Sequence, residues 1–287
     1  MSGAGVSQLQ VERLGHVNVY TRSLEPALEL QRCILGATVF REWDMPGSGS
    51  RNALSLVGRT CIETFAPTTN DLEVGAWLAR HGPGWHSLEW TVPSMAEALE
   101  AVQQRGLRIT EQTEGFLFTH PKDLHGVALE LTDAHFEGDD RDASGYDPDC
   151  VTGAHPMGIE GIAVIKVSAA SPDAARAAAE DVGALVGRAV DASEYDHLDA
   201  VGYAVRFDDH ALEFVASAGG VSTDLVGSFA AARGARIFAV TFMVRDLPQA
   251  RAHLVRAGVE YDEFGGHSLW LGPEAAYGAR IEFTDGG

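Results

Sequence analysis

TVPSMAEALEAVQQRGLRI at residues 91–109 is repeated in pattern by MVRDLPQARAHLVRAGVEY at residues 243–261, and this repeat indicates the architecture of the chain. Each stretch ends a strand, turns, forms an amphipathic helix, stops at a glycine and begins another strand. The two glycines, Gly106 and Gly258, are 152 residues apart. An internal repeat of this length indicates two copies of one domain.

Two further matches support the duplication. VALELTD at 127–133 matches ARIEFTD at 279–285, and their glutamates are again 152 residues apart. CIETFAP at 61–67 matches ALEFVAS at 211–217 with an offset of 150. Three matches at nearly one offset predict two domains in tandem.

Each copy divides again into two smaller units. Residues 14–21 alternate as a strand, and residues 24–35 have helical spacing that ends at Gly36. Three short strands follow, at residues 38–44, 52–57 and 60–66, and the segment from His86 repeats the order. One helix, at residues 71–81, connects the first two units. The sequence therefore predicts an α+β protein of four βαβββ units, with domains at 8–133 and 158–287 and an acidic linker at 134–157.

Composition excludes several classes of function. The 287 residues carry 21 basic and 41 acidic side chains, a formal net charge of −20, so we expect no nucleic-acid partner and no anionic membrane partner. No apolar run is long enough to span a membrane, and the N-terminus has no secretory pattern. The three cysteines form no CxxC pair, which favours the cytoplasm.

The alternation of residues along the strands places polar groups on one face. In residues 127–132, the apolar set is expected to pack on the helix, so Glu130 faces a cavity. In the first strand His16, Asn18 and Tyr20 face the same cavity, and Glu63 lies on a third strand whose direction stays open. Buried carboxylates are costly unless they are paired or bound to metal. Imidazole and carboxylate donors suit a divalent ion such as Zn, Fe, Mn, Co or Ni.

Three stretches carry a family resemblance: LGHVNVY (14–20), WLARHGPGWHSLEW (77–90) and FTHPKDLHGVALEL (118–131). With the repeated βαβββ units, they resemble the vicinal oxygen chelate superfamily, and residues 14–133 resemble its methylmalonyl-CoA epimerases. The resemblance implies two cupped sheets, one for each domain. It also implies metal ligands at His16, Glu63 and Glu130.

The remaining ligand stays open at this point. The resembled epimerases have two adjacent histidines, whereas this chain reads Gly-Trp-His-Ser at 84–87, and a gapless match puts Ser87 on the ligand position. A bulge would let His86 coordinate the ion. Alternatively, Glu89 or a water completes the site, or the site is free of metal.

The C-terminal copy lacks candidate ligands. No histidine occurs between His155 and His197 or between His210 and His253. We therefore expect a degenerate domain that has a structural role or helps to shape the pocket. Only a sheet that joins the first unit to the second assembles His16 and His86 in one cup.

The favoured function is a metal-dependent isomerase or lyase that acts on a small oxygenated carbonyl compound or thioester through an enolate-like intermediate. Glu130 is the candidate ligand and base, and Glu89 is a second acid–base candidate. Residues 46–62 contain no acid, whereas the resembled epimerases have another glutamate there, which argues against methylmalonyl-CoA itself. We expect a small-molecule substrate and allow for a homodimer. Candidate substrate contacts are Asn18, Tyr20, Ser87, His120 and Lys122.

Two other functions compete with the isomerase. An Fe(II) extradiol dioxygenase would use two histidines and one glutamate as a facial triad. A non-catalytic binding protein would instead use cavity aromatics as a platform. The aromatic candidates are Trp43, Tyr20, Phe65 and Trp85.

Overall fold

The structure is a computed structural model that describes residues 7–143, 145–147, 155–219 and 224–286. Two eight-stranded sheets contain all its ladder strands, one from each half of the described sequence. The predicted α+β class, with four βαβββ units and two cupped sheets, is confirmed. Within the described residues, no helix has both the length and the apolar character that a membrane span requires.

The N-terminal sheet follows the strand order β2-β3-β4-β1-β5-β8-β7-β6. The first and second units therefore meet in one sheet, as predicted. Its strands are β1 (Arg13–Tyr20), β2 (Thr38–Met45), β3 (Ser50–Val57), β4 (Thr60–Pro67), β5 (Gly84–Thr91), β6 (Ile109–Gln112), β7 (Phe116–Thr119) and β8 (Ala128–Thr132). Its helices are α1 (Leu24–Leu30), continued by a π-helical turn (Gln31–Leu35), α2 (Glu73–His81) and α3 (Met95–Gln104).

The C-terminal sheet repeats this arrangement, in the order β10-β11-β12-β9-β13-β16-β15-β14. Its strands are β9 (Ile159–Ser168), β10 (Val190–Tyr195), β11 (Ala200–Arg206), β12 (Ala211–Ser217), β13 (Ile237–Val244), β14 (Asp262–Phe264), β15 (Ser268–Leu271) and β16 (Ile281–Thr284). Its helices are α4 (Pro172–Val186), α5 (Leu225–Arg233) and α6 (Leu247–Ala257).

The helices of the two repeated stretches begin in the same way. The Ser94 hydroxyl accepts from the Glu97 amide at the start of α3, and the Asp246 carboxylate accepts from the Gln249 amide at the start of α6. Both are ordinary side-chain caps for otherwise unpaired amides. The spacing of the repeat is therefore the spacing of equivalent helices.

Backbone contacts divide the chain into two compact units that do not follow the sheets. One comprises Met1–Gly15, Ser87–Ala134 and Val164–Phe238, and the other comprises His16–His86, His135–Ala163 and Ala239–Gly287. The sequential domains at 8–133 and 158–287 stay a prediction.

Two aromatic residues of the predicted acidic linker pack against the N-terminal sheet, although most of the described segment is exposed. Phe136 packs with Leu54 and Cys61, and the Tyr146 hydroxyl donates to the Gly58 carbonyl at 2.7 Å. Other residues of the predicted linker, at 144 and 148–154, lie outside the described residues. Phe136 therefore packs against β3 and β4, and Tyr146 binds the turn between them.

The hairpin between β3 and β4 depends on a glycine. Gly58 has φ +59°, and a Cβ atom there would overlap the Glu160 carbonyl oxygen. Gly106, after α3, has a similar φ of +67° but open space around it. Substitutions at the two positions therefore distinguish two contributions to the loss of stability: the strain of a positive φ, which both share, and the steric overlap with residue 160, which only Gly58 has.

We expect Gly106→Ala to lower the free energy of unfolding by about 1–2 kcal/mol, the cost of a left-handed alanine. Gly58→Ala should lose about 1–3 kcal/mol more, because the hairpin must also move away from residue 160. Urea denaturation of both variants measures the difference. Equal losses would contradict the contact.

Candidate functional site

Two glutamates of the N-terminal sheet lie side by side on neighbouring parallel strands. The register of β5 and β8 pairs Glu89 with Glu130, and it pairs Ser87 with Ala128. Both glutamates are buried, with 2% and 9% of their surface exposed. The alternation that placed Glu130 toward a cavity therefore applies to Glu89 as well.

The Glu89 carboxylate rests against a glycine in β1. A Cβ atom on Gly15 would overlap Glu89 Oε1, so any other residue at position 15 would push this carboxylate away. Gly15 directly precedes His16 in the strand. The neighbouring Leu14 amide donates to Asp209 Oδ2 at 2.8 Å, which fixes the start of β1.

A second buried group joins β1, β4 and β3. His16 Nε2 lies 3.1 Å from Glu63 Oε2, and Asn52 Nδ2 donates to Glu63 Oε1 at 3.0 Å. Asn52 in turn accepts from the Ser50 hydroxyl at 2.7 Å. Both oxygens of Glu63 therefore have defined neighbours, and its carboxylate is held in one orientation. The Phe136 ring lies 5.9 Å from the His16 ring, on the packed part of the predicted linker.

Three of these side chains form a group that could hold a metal ion. One imidazole nitrogen of His16 and one carboxylate oxygen each from Glu89 and Glu130 all lie within 4.8 Å of one another. All three residues are buried. The donor set of one imidazole and two carboxylates suits the divalent ions that the sequence predicted.

His86 has different neighbours. Its ring stacks on Tyr20, with the ring centroids 4.1 Å apart, and the Trp77 ring meets it edge-on at 5.2 Å. Tyr20 also packs with Phe65, Val74 and Leu78 in a hydrophobic cluster. His86 is not in the group of three, so the structure brings together His16, Glu89 and Glu130 and leaves His86 among aromatic rings.

The remaining candidate residues lie in three places. Asn18 is buried in β1, where its register partner is Glu63, and Ser87 is buried in β5. His120 precedes a short turn, and its Nδ1 accepts from the Lys122 amide at 3.1 Å. The Lys122 side chain is exposed. Their roles in substrate binding stay predictions.

The aromatic candidates for a binding platform do not form a single surface. The Trp85 indole donates to the Arg280 carbonyl at 2.8 Å, and Trp43 packs near Arg41. Tyr20 and Phe65 are 5.0 Å apart within the hydrophobic cluster. Each of these rings thus has a packing role.

The two cysteines that the structure describes are poor nucleophiles. Burial raises the pKa of the Cys61 thiol to about 12, and the hydrogen bond to Glu29 raises the pKa of Cys33. Both groups therefore stay protonated near neutral pH. Cys150 lies outside the described residues.

Sequence reasoning missed Asn52 and Phe136. Asn52 is a polar residue in the mostly buried strand β3, which pairs with the strand that contains Glu63. That position was the signal that could have identified it. Phe136 lies in an acidic stretch without periodicity, so nothing in the local pattern marked it.

Comparisons with known proteins agree with the resemblance seen in the sequence. No family model matches the chain. The mitochondrial methylmalonyl-CoA epimerase of Mus musculus is 28% identical over 130 residues, which cover 42% of this chain and 73% of that protein. The ethylmalonyl-CoA/methylmalonyl-CoA epimerase of Cereibacter sphaeroides is also 28% identical, over 42% of this chain and 97% of that protein.

A solved structure matches nearly the whole chain. A mutant of 4-hydroxymandelate synthase from Streptomyces coelicolor superposes with a TM-score of 0.71 and 12% identity, over 95% of this chain and 92% of that one. At this identity the match concerns the fold alone. The resemblance is thus confirmed: the chain has the tandem fold of the vicinal oxygen chelate superfamily, and its N-terminal half is similar to methylmalonyl-CoA epimerases.

Proposed function

We propose that the chain is a divalent-metal-dependent isomerase of the epimerase type. Its substrate would be a small oxygenated carbonyl compound or thioester with a proton on the carbon next to the carbonyl. The observation that carries this proposal is the buried group of His16, Glu89 and Glu130. This group contains Glu89 and not His86, as one of the predicted arrangements does, but it leaves out Glu63, which every predicted metal arrangement counted as a ligand.

The residues present fit a divalent ion. Two carboxylates on adjacent strands repel each other when both are ionised, and burial increases that cost. A cation held by both carboxylates and by the His16 imidazole would offset the repulsion. Position 15 is a glycine, which leaves the room that Glu89 needs beside β1. Bound there, the ion would act as a Lewis acid toward the substrate's carbonyl oxygen.

Glu63 is the residue we assign to proton transfer. Asn52 holds one of its oxygens and His16 lies beside the other, so its carboxylate has a fixed direction. A carboxylate held in this way can accept the proton from the carbon next to the carbonyl, which leaves an enolate. Inversion is completed when water protonates the opposite face of the enolate and Glu63 releases its proton to the solvent. Asn52 therefore positions the base.

The relatives supply the substrate class. The similar proteins are epimerases of methylmalonyl-CoA and ethylmalonyl-CoA. An acyl-CoA thioester with a substituted malonyl group is thus the first substrate to test. The dioxygenase alternative is less well supported, because a facial triad needs two histidines and one carboxylate. The group seen in the described residues has one histidine and two carboxylates.

We expect His16→Ala, Glu89→Gln and Glu130→Gln each to weaken divalent-metal binding by about 100-fold or more. His86→Ala and Ser87→Ala should keep the wild-type affinity, because neither residue belongs to the group. Titration of the purified proteins with Mn²⁺ and Zn²⁺ measures these affinities. A large loss in His86→Ala, with none in Glu89→Gln, would contradict the proposed ligand set.

The activity has a separate test. With the preferred ion bound, the enzyme in D₂O should exchange the proton next to the thioester carbonyl of methylmalonyl-CoA or ethylmalonyl-CoA. Glu63→Gln should lose this exchange by about 100-fold or more. Unchanged exchange in Glu63→Gln would show that Glu63 is not the base. Metal binding without exchange of either thioester would contradict a substituted malonyl-CoA as the substrate, in line with the missing acid at residues 46–62.

A substitution at Gly15 tests the metal site without changing any of the proposed ligands. Gly15→Ala should weaken metal binding by about 10-fold, because the new methyl group displaces the Glu89 carboxylate. Gly115→Ala is the matched control, since a Cβ atom there meets open space and neither glycine has a positive φ. Equal metal affinity in both variants would show that Glu89 does not need the space beside β1.

A further inference from the structure

One of the chain's two lysines is buried in the C-terminal half. Lys122 is exposed, whereas Lys166 lies in β9 with 2% of its surface exposed. A fully buried lysine is rare unless it has a compensating partner. The strand around it reads IEGIAVIKVS and is otherwise largely apolar.

A glutamate lies beside Lys166 in the neighbouring strand. The register of β12 and β9 pairs Glu213 with Lys166, and Glu213 is 2% exposed. Glu213 Oε1 accepts from the Ser193 hydroxyl at 2.5 Å, and Oε2 accepts from the Tyr195 hydroxyl at 2.7 Å. Two hydroxyl groups therefore donate to the two oxygens of this buried carboxylate.

Tyr195 connects the two charged groups. Its hydroxyl donates to Glu213, and its ring lies 5.3 Å from Lys166 Nζ, at a distance typical of a cation–π contact. Gly202 leaves the room that this arrangement needs, because a Cβ atom there would overlap Glu213 Oε1 and approach Ser193 Oγ. We call Lys166, Glu213, Tyr195 and Ser193 the lysine centre.

The lysine centre occupies the positions of the C-terminal half that are equivalent to the surroundings of His16 and Glu63 in the N-terminal half. Glu213 is the repeat equivalent of Glu63, and the two halves have the same strand register: Asn18 pairs with Glu63 as Lys166 pairs with Glu213. Two residues before the lysine the chain has Val164, where the first half has His16. The second copy thus has valine where the first copy has His16, and lysine where the first copy has Asn18.

We propose that Lys166 is a covalently tethered cation that compensates the charge of the buried Glu213 carboxylate, so that the lysine centre needs no metal ion. Its ammonium group supplies, through a covalent side chain, the positive charge that the buried Glu213 carboxylate needs. This inference rests on the geometry of the C-terminal half and does not depend on the proposed function of the N-terminal half. Substitution of Lys166 by alanine would remove the ammonium group and leave space that a small primary alkylammonium ion could fill.

The first test is chemical rescue. Lys166→Ala should lower Tm by about 5–15 °C, because it leaves a buried carboxylate without its cation. Propylammonium matches the atoms that the substitution removes, so we expect it to restore most of the lost Tm. 1-Propanol has nearly the same shape without the charge and should restore little.

Lys122→Met is the control, and its Tm should stay within about 1 °C of the wild type. Equal rescue by propylammonium and 1-propanol would overturn the proposal, because the lysine would then serve only to fill space. A Tm for Lys166→Ala that equals the wild type would overturn it as well.

A second measurement applies even if Lys166→Ala does not fold. Acetylation of the wild-type chain, read residue by residue by mass spectrometry, should modify Lys122 rapidly and Lys166 only after unfolding. The protection of Lys166 should persist after removal of divalent metal with EDTA, because the centre needs none. Rapid modification of Lys166 in the folded chain would overturn the proposal. Metal-dependent protection would do the same, whereas failure of metal binding in the N-terminal half would affect only the proposed function.

Discussion

Carboxylates buried in apolar sheets require a positive charge close by, and both halves of this chain are organised around that requirement. Glu89 and Glu130 are register partners in the N-terminal sheet, and Glu213 is buried in the C-terminal sheet. Water cannot screen charges at such positions, so each carboxylate must be neutralised or paired. We infer that a bound divalent ion meets this need in the first half and that Lys166 meets it in the second.

The fold supplies the geometry for these charges through strand register. Parallel pairing of β5 with β8, and of β1 with β4, brings polar side chains from distant parts of the sequence to neighbouring positions. A glycine is needed where a buried carboxylate lies against the backbone of a nearby strand. Gly15 has this role beside Glu89, and Gly202 has it beside Glu213. The same sheet can therefore hold a metal-binding group or an internal ion pair after few substitutions.

Much of this arrangement could be predicted from the sequence, because a repeat of about 150 residues and strict strand alternation are long-range patterns. They predicted the four units, the sheet that joins the first two, and the direction of Glu130. They could not choose between His86 and Glu89, because the choice depends on how one strand lies against its neighbour. Asn52 and Lys166 were missed for a related reason: each acts through a residue on another strand, and a single strand's pattern does not show that partner.

The most direct test of the metal site is X-ray absorption spectroscopy of the chain loaded with Co²⁺. The spectrum counts imidazole ligands independently of any mutation. The proposed site predicts one imidazole from His16, with the remaining ligands being oxygen atoms. Two imidazoles in the first shell would contradict the choice of Glu89 over His86, and failure to bind the ion at all would contradict the metal site itself.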